Sequence, residues 1–169
     1  MDEVGEVSAD RESIPVLPRH VSFKDGYGVY LQRVGSPVFP LMFSGNDAGD
    51  EGVGNEVFTT SSGAVRIKNI AAGKFWRRKD DQISTIWADS SDTSDDDPNT
   101  MFWPVKVDDN VVALRCNGND KFCSRNSNNL HVLAAEGSTI NQEARLQVEE
   151  ALTDGDRSST APPSTLSSD

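Results

Sequence analysis

The sequence has few of the residues that catalysis, metal binding and disulfide scaffolds use. It contains two histidines, His20 and His131, and two cysteines, Cys116 and Cys123. Their spacings match neither a zinc motif nor a Cys-His or Ser-His-Asp arrangement, and the glycines form no phosphate-binding loop. We therefore predict a protein that is not an enzyme, with no metal site, no cofactor and a buried free thiol at Cys123.

Positive charge is scarce, and long apolar runs are missing. The 16 Lys and Arg are outnumbered by 27 Asp and Glu, which gives a net charge of −11. Nucleic-acid binding needs a basic face, so this balance excludes it. With no apolar run that could form a membrane span or a signal peptide, and with too few cysteines for a disulfide scaffold, we predict a cytoplasmic or nucleocytoplasmic location.

The two ends of the chain differ from its middle in composition. Residues 1–17 carry five acids and one base, with few apolar side chains before Ile14, and residues 151–169 are mostly Ser, Thr, Pro, Asp and Gly. Such segments bury too little apolar surface to offset the entropy lost on ordering. We therefore predict disordered segments at 1–17 and 151–169, flanking one domain at 18–150.

What the chain does contain is one pattern that occurs three times. Each copy has an apolar and basic strand, a polar loop and an aromatic residue preceded by Val or Lys. The aromatic residues lie 45 and 47 positions apart: Tyr30, Phe75 and Phe122. A second set repeats at steps of 44: Phe58, Phe102 and Leu146. Repetition at a fixed period indicates the architecture before any local pattern does.

Three all-β units of about 45 residues predict a β-trefoil, a closed barrel with pseudo-threefold symmetry. Three blades of a larger propeller are the alternative, but three units fill the chain. We expect Leu31, Trp76 and Cys123 to be equivalent under the threefold axis. Which residue of each pair, such as Tyr30 and Leu31, faces inward stays open, because a slip of one residue reverses the face. The third unit, with Cys123 in place of a larger side chain, should be the least stable.

Several short blocks occur in a fixed order along the chain: residues 23–31, 54–58, 65–68, 73–78, 86–90, 102–105, 112–115 and 143–150. In sequence and in order, these blocks resemble amaranthin-type agglutinin domains, which are plant β-trefoil lectins. They cover roughly 18–150. The resemblance implies binding of galactose- or N-acetylgalactosamine-containing glycans without a metal or a catalytic group, and it makes a homodimer an expected assembly.

Sugar binding requires an aromatic face for the C–H side of the ring and Asp or Asn side chains for the hydroxyls. The carbohydrate-binding candidates are Trp87, Asp89, Trp103, Asn46, Asp47 and Trp76, with Asn117 and Asn119 as further polar residues. For the tryptophans the alternative is the barrel core, most strongly for Trp76. For the Asp and Asn residues the alternative is turn formation.

These observations favour a lectin that recognises galactose- or N-acetylgalactosamine-type glycans or glycoproteins and catalyses no reaction. The alternative is a trefoil that has lost sugar binding and serves as a protein–protein interaction module. Protease inhibition has the fold alone in its favour, and a fold by itself does not establish a function.

Overall fold

The computed structural model describes residues 17–34, 40–91, 97–128 and 130–151. These residues form twelve strands: β1 (His20–Lys24), β2 (Tyr30–Gln32), β3 (Met42–Gly45), β4 (Asn55–Thr59), β5 (Val65–Asn69), β6 (Lys74–Lys79), β7 (Thr85–Ser90), β8 (Phe102–Asp108), β9 (Val111–Cys116), β10 (Lys121–Asn126), β11 (Val132–Gly137) and β12 (Leu146–Glu150). Single 3-10 turns lie at Asp80–Gln82, Pro98–Thr100 and Gln142–Ala144.

The described residues include one residue beyond each end of the predicted domain, 18–150. Leu17 and Ala151 are both buried, with 6% of each residue exposed, and Leu17 packs in the hydrophobic core. The remaining residues of the segments predicted to be disordered, 1–16 and 152–169, lie outside the described residues.

Six strands close a barrel. Strands β1, β4, β5, β8, β9 and β12 pair antiparallel in that order, and β12 returns to pair with β1. Closure satisfies the backbone groups that an open sheet would expose at its edges. The first and last strands of the domain are therefore direct neighbours, with Phe23 opposite Val148.

Three hairpins, β2–β3, β6–β7 and β10–β11, cover one end of the barrel. They are joined to one another through β11, which pairs with both β3 and β7, and through the Leu41 amide, which donates to the Ile86 carbonyl at 2.8 Å. A six-stranded barrel capped by three hairpins is the β-trefoil, so the predicted fold class is confirmed.

A β-bulge at the same place in each hairpin fixes which residue faces the core. The pairing register shifts between Tyr30 and Leu31, and likewise at the equivalent positions of the second and third repeats. After the shift Leu31, Trp76 and Cys123 are buried, at 2%, 0% and 0% exposure. These three residues are the threefold mates that the repeat predicted.

The second repeating set predicted from the sequence, Phe58, Phe102 and Leu146, was wrong at Phe58. Val21, Val65 and Val112 are equivalent, and their cross-strand partners are Asn55, Phe102 and Leu146. Asn55, not Phe58, is therefore the mate of the two apolar residues. It is 1% exposed, and its polar side chain is accommodated by buried hydrogen bonds.

Candidate functional site

Trp76 is a core residue, which corrects its inclusion among the sugar-binding candidates. Its indole packs against the rings of Phe23 and Phe102, at centroid distances of 5.5 and 5.9 Å. Its Nε1 donates to Asn55 Oδ1 at 3.2 Å, so the one polar atom of the ring is also satisfied internally. A fully buried indole has no face left for a ligand.

Trp87 and Asp89 lie together on the outer face of the β6–β7 hairpin. Two cations from β6 reach the Asp89 carboxylate: Lys79 Nζ at 2.5 Å from Oδ2 and Arg77 Nε at 3.4 Å from Oδ1. Lys79 Nζ also stands 4.3 Å from the centre of the Trp87 ring, and Trp87 Nε1 donates to Thr85 Oγ1 at 2.8 Å. The hairpin therefore brings together an aromatic ring and a carboxylate, but a lysine covers one face of the ring.

Trp103 lies on the barrel exterior and keeps 39% of its surface exposed. It stands opposite Arg115 on β9. Its ring lies over the β4–β5 turn at Gly63, where a Cβ would be 3.2 Å from the indole Cη2. Because Gly63 also has a φ of +97°, this position favours glycine for two reasons, and the turn is shaped to receive the indole.

Asn46 and Asp47 belong to an exposed turn that their own polar groups stabilise. The backbone amides of both residues donate to Asp50 Oδ2, at 2.9 and 3.1 Å. Asp47 Oδ1 accepts from the Gly49 amide at 3.2 Å. One oxygen of Asp47 is thus used by the turn, as the alternative interpretation expected.

Asn119 also stabilises a turn. Its Oδ1 accepts from the Lys121 amide at 3.1 Å, and its Nδ2 donates to the Ala135 carbonyl at 2.9 Å. Asn117 is half-buried, and its backbone amide donates to the Met101 carbonyl. Both residues therefore stabilise the turn that connects β9 and β10.

Three arginines at equivalent positions were missed by the sequence analysis. Each stands two residues after the inward-facing member of the bulge: Arg33, Arg78 and Arg125. The signal was present in the sequence, because each repeat contains an aromatic residue, an apolar residue, one variable residue and then Arg.

The second and third of these arginines bind the loops that follow their own hairpins. Arg78 Nε donates to Asn99 Oδ1 at 3.0 Å, within the β7–β8 connection. Arg125 Nε lies 3.1 Å from Asp25 Oδ2, close enough for an ion pair although not aligned as a hydrogen bond, and its Nη1 lies 3.3 Å from Glu143 Oε1. Arg125 therefore ties the third repeat to the first.

An open polar groove was also missed. It lies where the β1–β2 turn, the β8–β9 turn and the start of β12 meet, and we call it the seam groove. Its volume is about 490 Å³. The lining residues are Gly26, Asp108, Val111, Gln142, Arg145 and Gln147. They come from distant parts of the chain, so no local motif could have identified them.

The described residues hold no cluster of three or more His, Cys, Asp or Glu side chains that could bind a metal ion. Within the same residues no helix has the length and apolar character needed to cross a bilayer. Cys116 and Cys123 are free and buried, as predicted for Cys123.

No protein-family model and no curated protein matches this chain. Several solved structures are similar to it in fold. The designed threefold-symmetric protein ThreeFoil aligns with a TM-score of 0.66 and 9% identity over 78% of this chain and 98% of its own. The BEL β-trefoil aligns with a TM-score of 0.64 and 11% identity over 81% and 96%.

A lectin from Polyporus squamosus, solved with a sialylated influenza-binding epitope, is similar over 81% of this chain and 50% of its own, with a TM-score of 0.65 and 10% identity. This chain thus spans all but a few per cent of the two trefoils and half of the fungal lectin. At such identities the similarity establishes the fold alone: this chain has the β-trefoil fold that these proteins share.

Proposed function

We propose that this protein is a carbohydrate-binding module of lectin type, acting by recognition without a reaction. The observation that carries the proposal is the exposed indole of Trp103. The positions equivalent to it, Glu56 and Gln147, hold polar side chains. An indole at this outward position is not required by the barrel, and it offers a flat apolar face to the C–H side of a sugar ring.

The surroundings of Trp103 supply groups for the hydroxyls of a sugar. The adjoining β4–β5 turn carries the hydroxyls of Thr60 and Ser62, 3.0 Å apart. Arg115, opposite Trp103, carries a guanidinium group with several N–H donors. Single sites of this shallow kind bind weakly, so assembly into a homodimer would raise avidity.

Trp87 with Asp89 is a second candidate sugar-binding surface of the same module. Asp89 offers carboxylate oxygens that can accept from hydroxyls, and its two cations fix their position. Asn46 and Asp47 are a weaker candidate, because Asp50 and the turn hold their polar groups.

The resemblance to amaranthin-type agglutinins supports galactose- or N-acetylgalactosamine-type glycans as the ligand class. The two free, buried cysteines fit a reducing compartment, so we place the protein in the cytoplasm or the nucleus.

A protein–protein interaction module is the second candidate function. The observation in its favour is that the side chains of several predicted sugar-binding residues are already engaged. Trp76 is in the core, Lys79 covers one face of Trp87, and Asp47 stabilises its turn. A trefoil with these features would keep its fold while presenting its surface to another protein.

A glycan array on the full chain, with the oligomeric state measured on the same sample, tests the proposal. We expect binding to galactose- or N-acetylgalactosamine-terminated glycans. Trp103→Ala should weaken it about tenfold, as expected for the loss of an aromatic contact, with little change in melting temperature. Glu56→Ala, which truncates the equivalent position of the first repeat, is the matched control and should bind as the wild type does.

Two results would contradict the proposal. A folded wild-type protein that binds no glycan, as monomer and as dimer, would favour the interaction module. A Trp103→Ala variant that loses stability while it retains sugar binding would assign the indole to packing.

A further inference from the structure

We propose that the seam groove is a second binding site for a neutral sugar ring, separate from Trp103. The choice of ligand rests on the proposed carbohydrate-binding function. The site itself rests on the geometry of the residues that line the groove.

Pseudo-threefold symmetry relates the groove to the Trp103 surface. Gln147 is the equivalent of Trp103, and both stand beside a turn that joins two repeats. In the second repeat the Trp103 indole lies over the β4–β5 turn at Gly63. In the third repeat the shorter Gln147 lies beside the β8–β9 turn, and an open groove occupies this place instead. The same position thus provides an aromatic platform in one repeat and a polar cavity in another.

The polar groups of the groove match the hydroxyls of a sugar. The side chains of Gln142, Arg145 and Gln147 are exposed, and within the described residues they make no hydrogen bond to the protein. Each glutamine amide can both donate and accept, as each sugar hydroxyl does. Asp108 and Arg145 carry opposite charges, so their sum favours a neutral ligand over an ion.

The backbone of these residues lies in ordered elements, so binding has to order only their side chains. Gln142 begins a 3-10 turn whose Ala144 amide donates to the Asn141 side chain at 3.2 Å. Gln147 lies on β12, paired with Lys24 of β1 and Val111 of β9. The groove volume of about 490 Å³ falls within the range of small-molecule sites.

An exposed aromatic residue, Tyr27, follows one of the lining residues of the groove in the chain. Tyr27, next to the lining residue Gly26, is 63% exposed. The guanidinium of Arg125 stands 4.7 Å from the centre of its ring, and Arg125 is itself held by Asp25 and Glu143. The exposed surface of a ring ordered in this way can stack on the apolar face of a sugar.

A larger residue at Gly26 would occupy part of the groove. A Cβ there would lie 3.7 Å from Gln142 Nε2, an ordinary contact distance, and the backbone φ is not in the left-handed region. The Cβ of Gly26→Val should therefore fit without a clash, and its two methyl groups should narrow the groove.

The test is an NMR titration of the ¹⁵N-labelled full chain with galactose and with N-acetylgalactosamine. We expect the side-chain amide resonances of Gln142 and Gln147 to shift. Replacing both glutamines with alanine should weaken this binding about tenfold, as should Gly26→Val. Gln82→Ala, another exposed glutamine of a 3-10 turn, is the matched control and should change nothing.

The outcomes separate the inference from the proposed function. Shifts at the indole N–H of Trp103 with none at Gln142 or Gln147 would overturn the seam site and leave the lectin standing. A titration in which no resonance moves with either sugar, combined with a blank glycan array, would overturn both. Unchanged binding by Gly26→Val and by the double glutamine variant would also overturn the seam site.

Discussion

Among single side chains, Asn55 is a polar residue at a core position that is apolar in the other two repeats. Its mates are Phe102 and Leu146. Asn55 Oδ1 accepts from Trp76 Nε1 at 3.2 Å and from Asn69 Nδ2 at 3.3 Å. The largest buried side chain of the described core therefore depends on a buried amide for its only polar contact.

Asn55→Leu should lower the free energy of unfolding by about 2 kcal/mol, because it leaves the Trp76 indole N–H buried without an acceptor. Urea unfolding measures the change. In a Trp76→Phe background, where the donor is absent, the same substitution should cost about 1 kcal/mol less. Equal costs in the two backgrounds would show that the bond contributes nothing to stability.

The three tryptophans look alike in the sequence, and the physical features that separate them are not local. The apolar mates Leu31 and Cys123 correctly favoured the core for Trp76. The register shift that turns the indole inward arises from pairing with β7, which a period-two pattern does not reveal. Similarly, the position of Lys79 over Trp87 depends on how two strands are aligned.

At the level of strands, one ionic cluster joins β1, β2 and β12. Lys24 Nζ lies 2.9 Å from Glu149 Oε2, and the Tyr30 hydroxyl donates to Glu149 Oε1 at 2.7 Å. Hydrogen bonds from Lys24 and then Tyr30 lower the pKa of Glu149, and the bond to Glu149 raises the pKa of Lys24 and of Tyr30. The cluster lies where the barrel closes.

These shifts predict a stability plateau with two limits. Because the pKa of Glu149 is lowered on folding, its carboxylate stabilises the fold at pH values above its ordinary pKa of 4.5. This stabilisation is lost as pH falls through the pKa of the folded state. Because the pKa values of Tyr30 and Lys24 are raised on folding, both groups stabilise the fold at pH values below their ordinary pKa values of 10.0 and 10.5. This stabilisation is lost as pH rises through the pKa values of the folded state.

Melting temperatures of the wild type and Glu149→Gln as a function of pH measure the effect. The wild type should exceed the variant between about pH 4.5 and 10, and the two should converge outside that window. Because the groups are partly exposed, the difference should be small and should shrink in high salt. A difference that does not vary with pH would contradict the role assigned to the cluster.

Considered as one domain, the protein has a core that excludes its own thiols from solvent. Cys116 and Cys123 are both 0% exposed. Burial raises the pKa of Cys116, although nearby backbone amides and Arg78 oppose the shift, and burial raises the pKa of Cys123 well above its ordinary value. A thiol that is both buried and protonated reacts slowly.

Neither cysteine should react with a thiol reagent under native conditions, and both should react as the protein unfolds in urea. Parallel circular dichroism establishes whether labelling follows global unfolding. Since both thiols lie in the third repeat, labelling that precedes the loss of circular dichroism would show that this repeat opens first, as its small core residue suggests. Rapid labelling without denaturant would contradict the burial of the thiols.

The fold followed from the sequence because a β-trefoil is built from three equivalent units, and equivalent units leave a spacing that can be counted. The aromatic residues at 30, 75 and 122 indicated that spacing directly. The sequence analysis chose Phe58 because it is apolar like Phe102 and Leu146. Equivalence depends instead on strand register, and the residue in the equivalent register is the buried Asn55. The seam groove could not be predicted, since its residues meet only after the barrel closes.

The pairing of β1 with β12 also means that the order of the repeats along the chain is arbitrary. The Ala151 amide donates to the His20 carbonyl at 2.8 Å, so the two ends of the domain lie side by side. A short linker could join them while new termini open at the exposed Ser61–Ser62 turn, giving a circular permutant with the same barrel. For the same reason, the domain could be inserted into a surface loop of another protein without separating the two halves of its host.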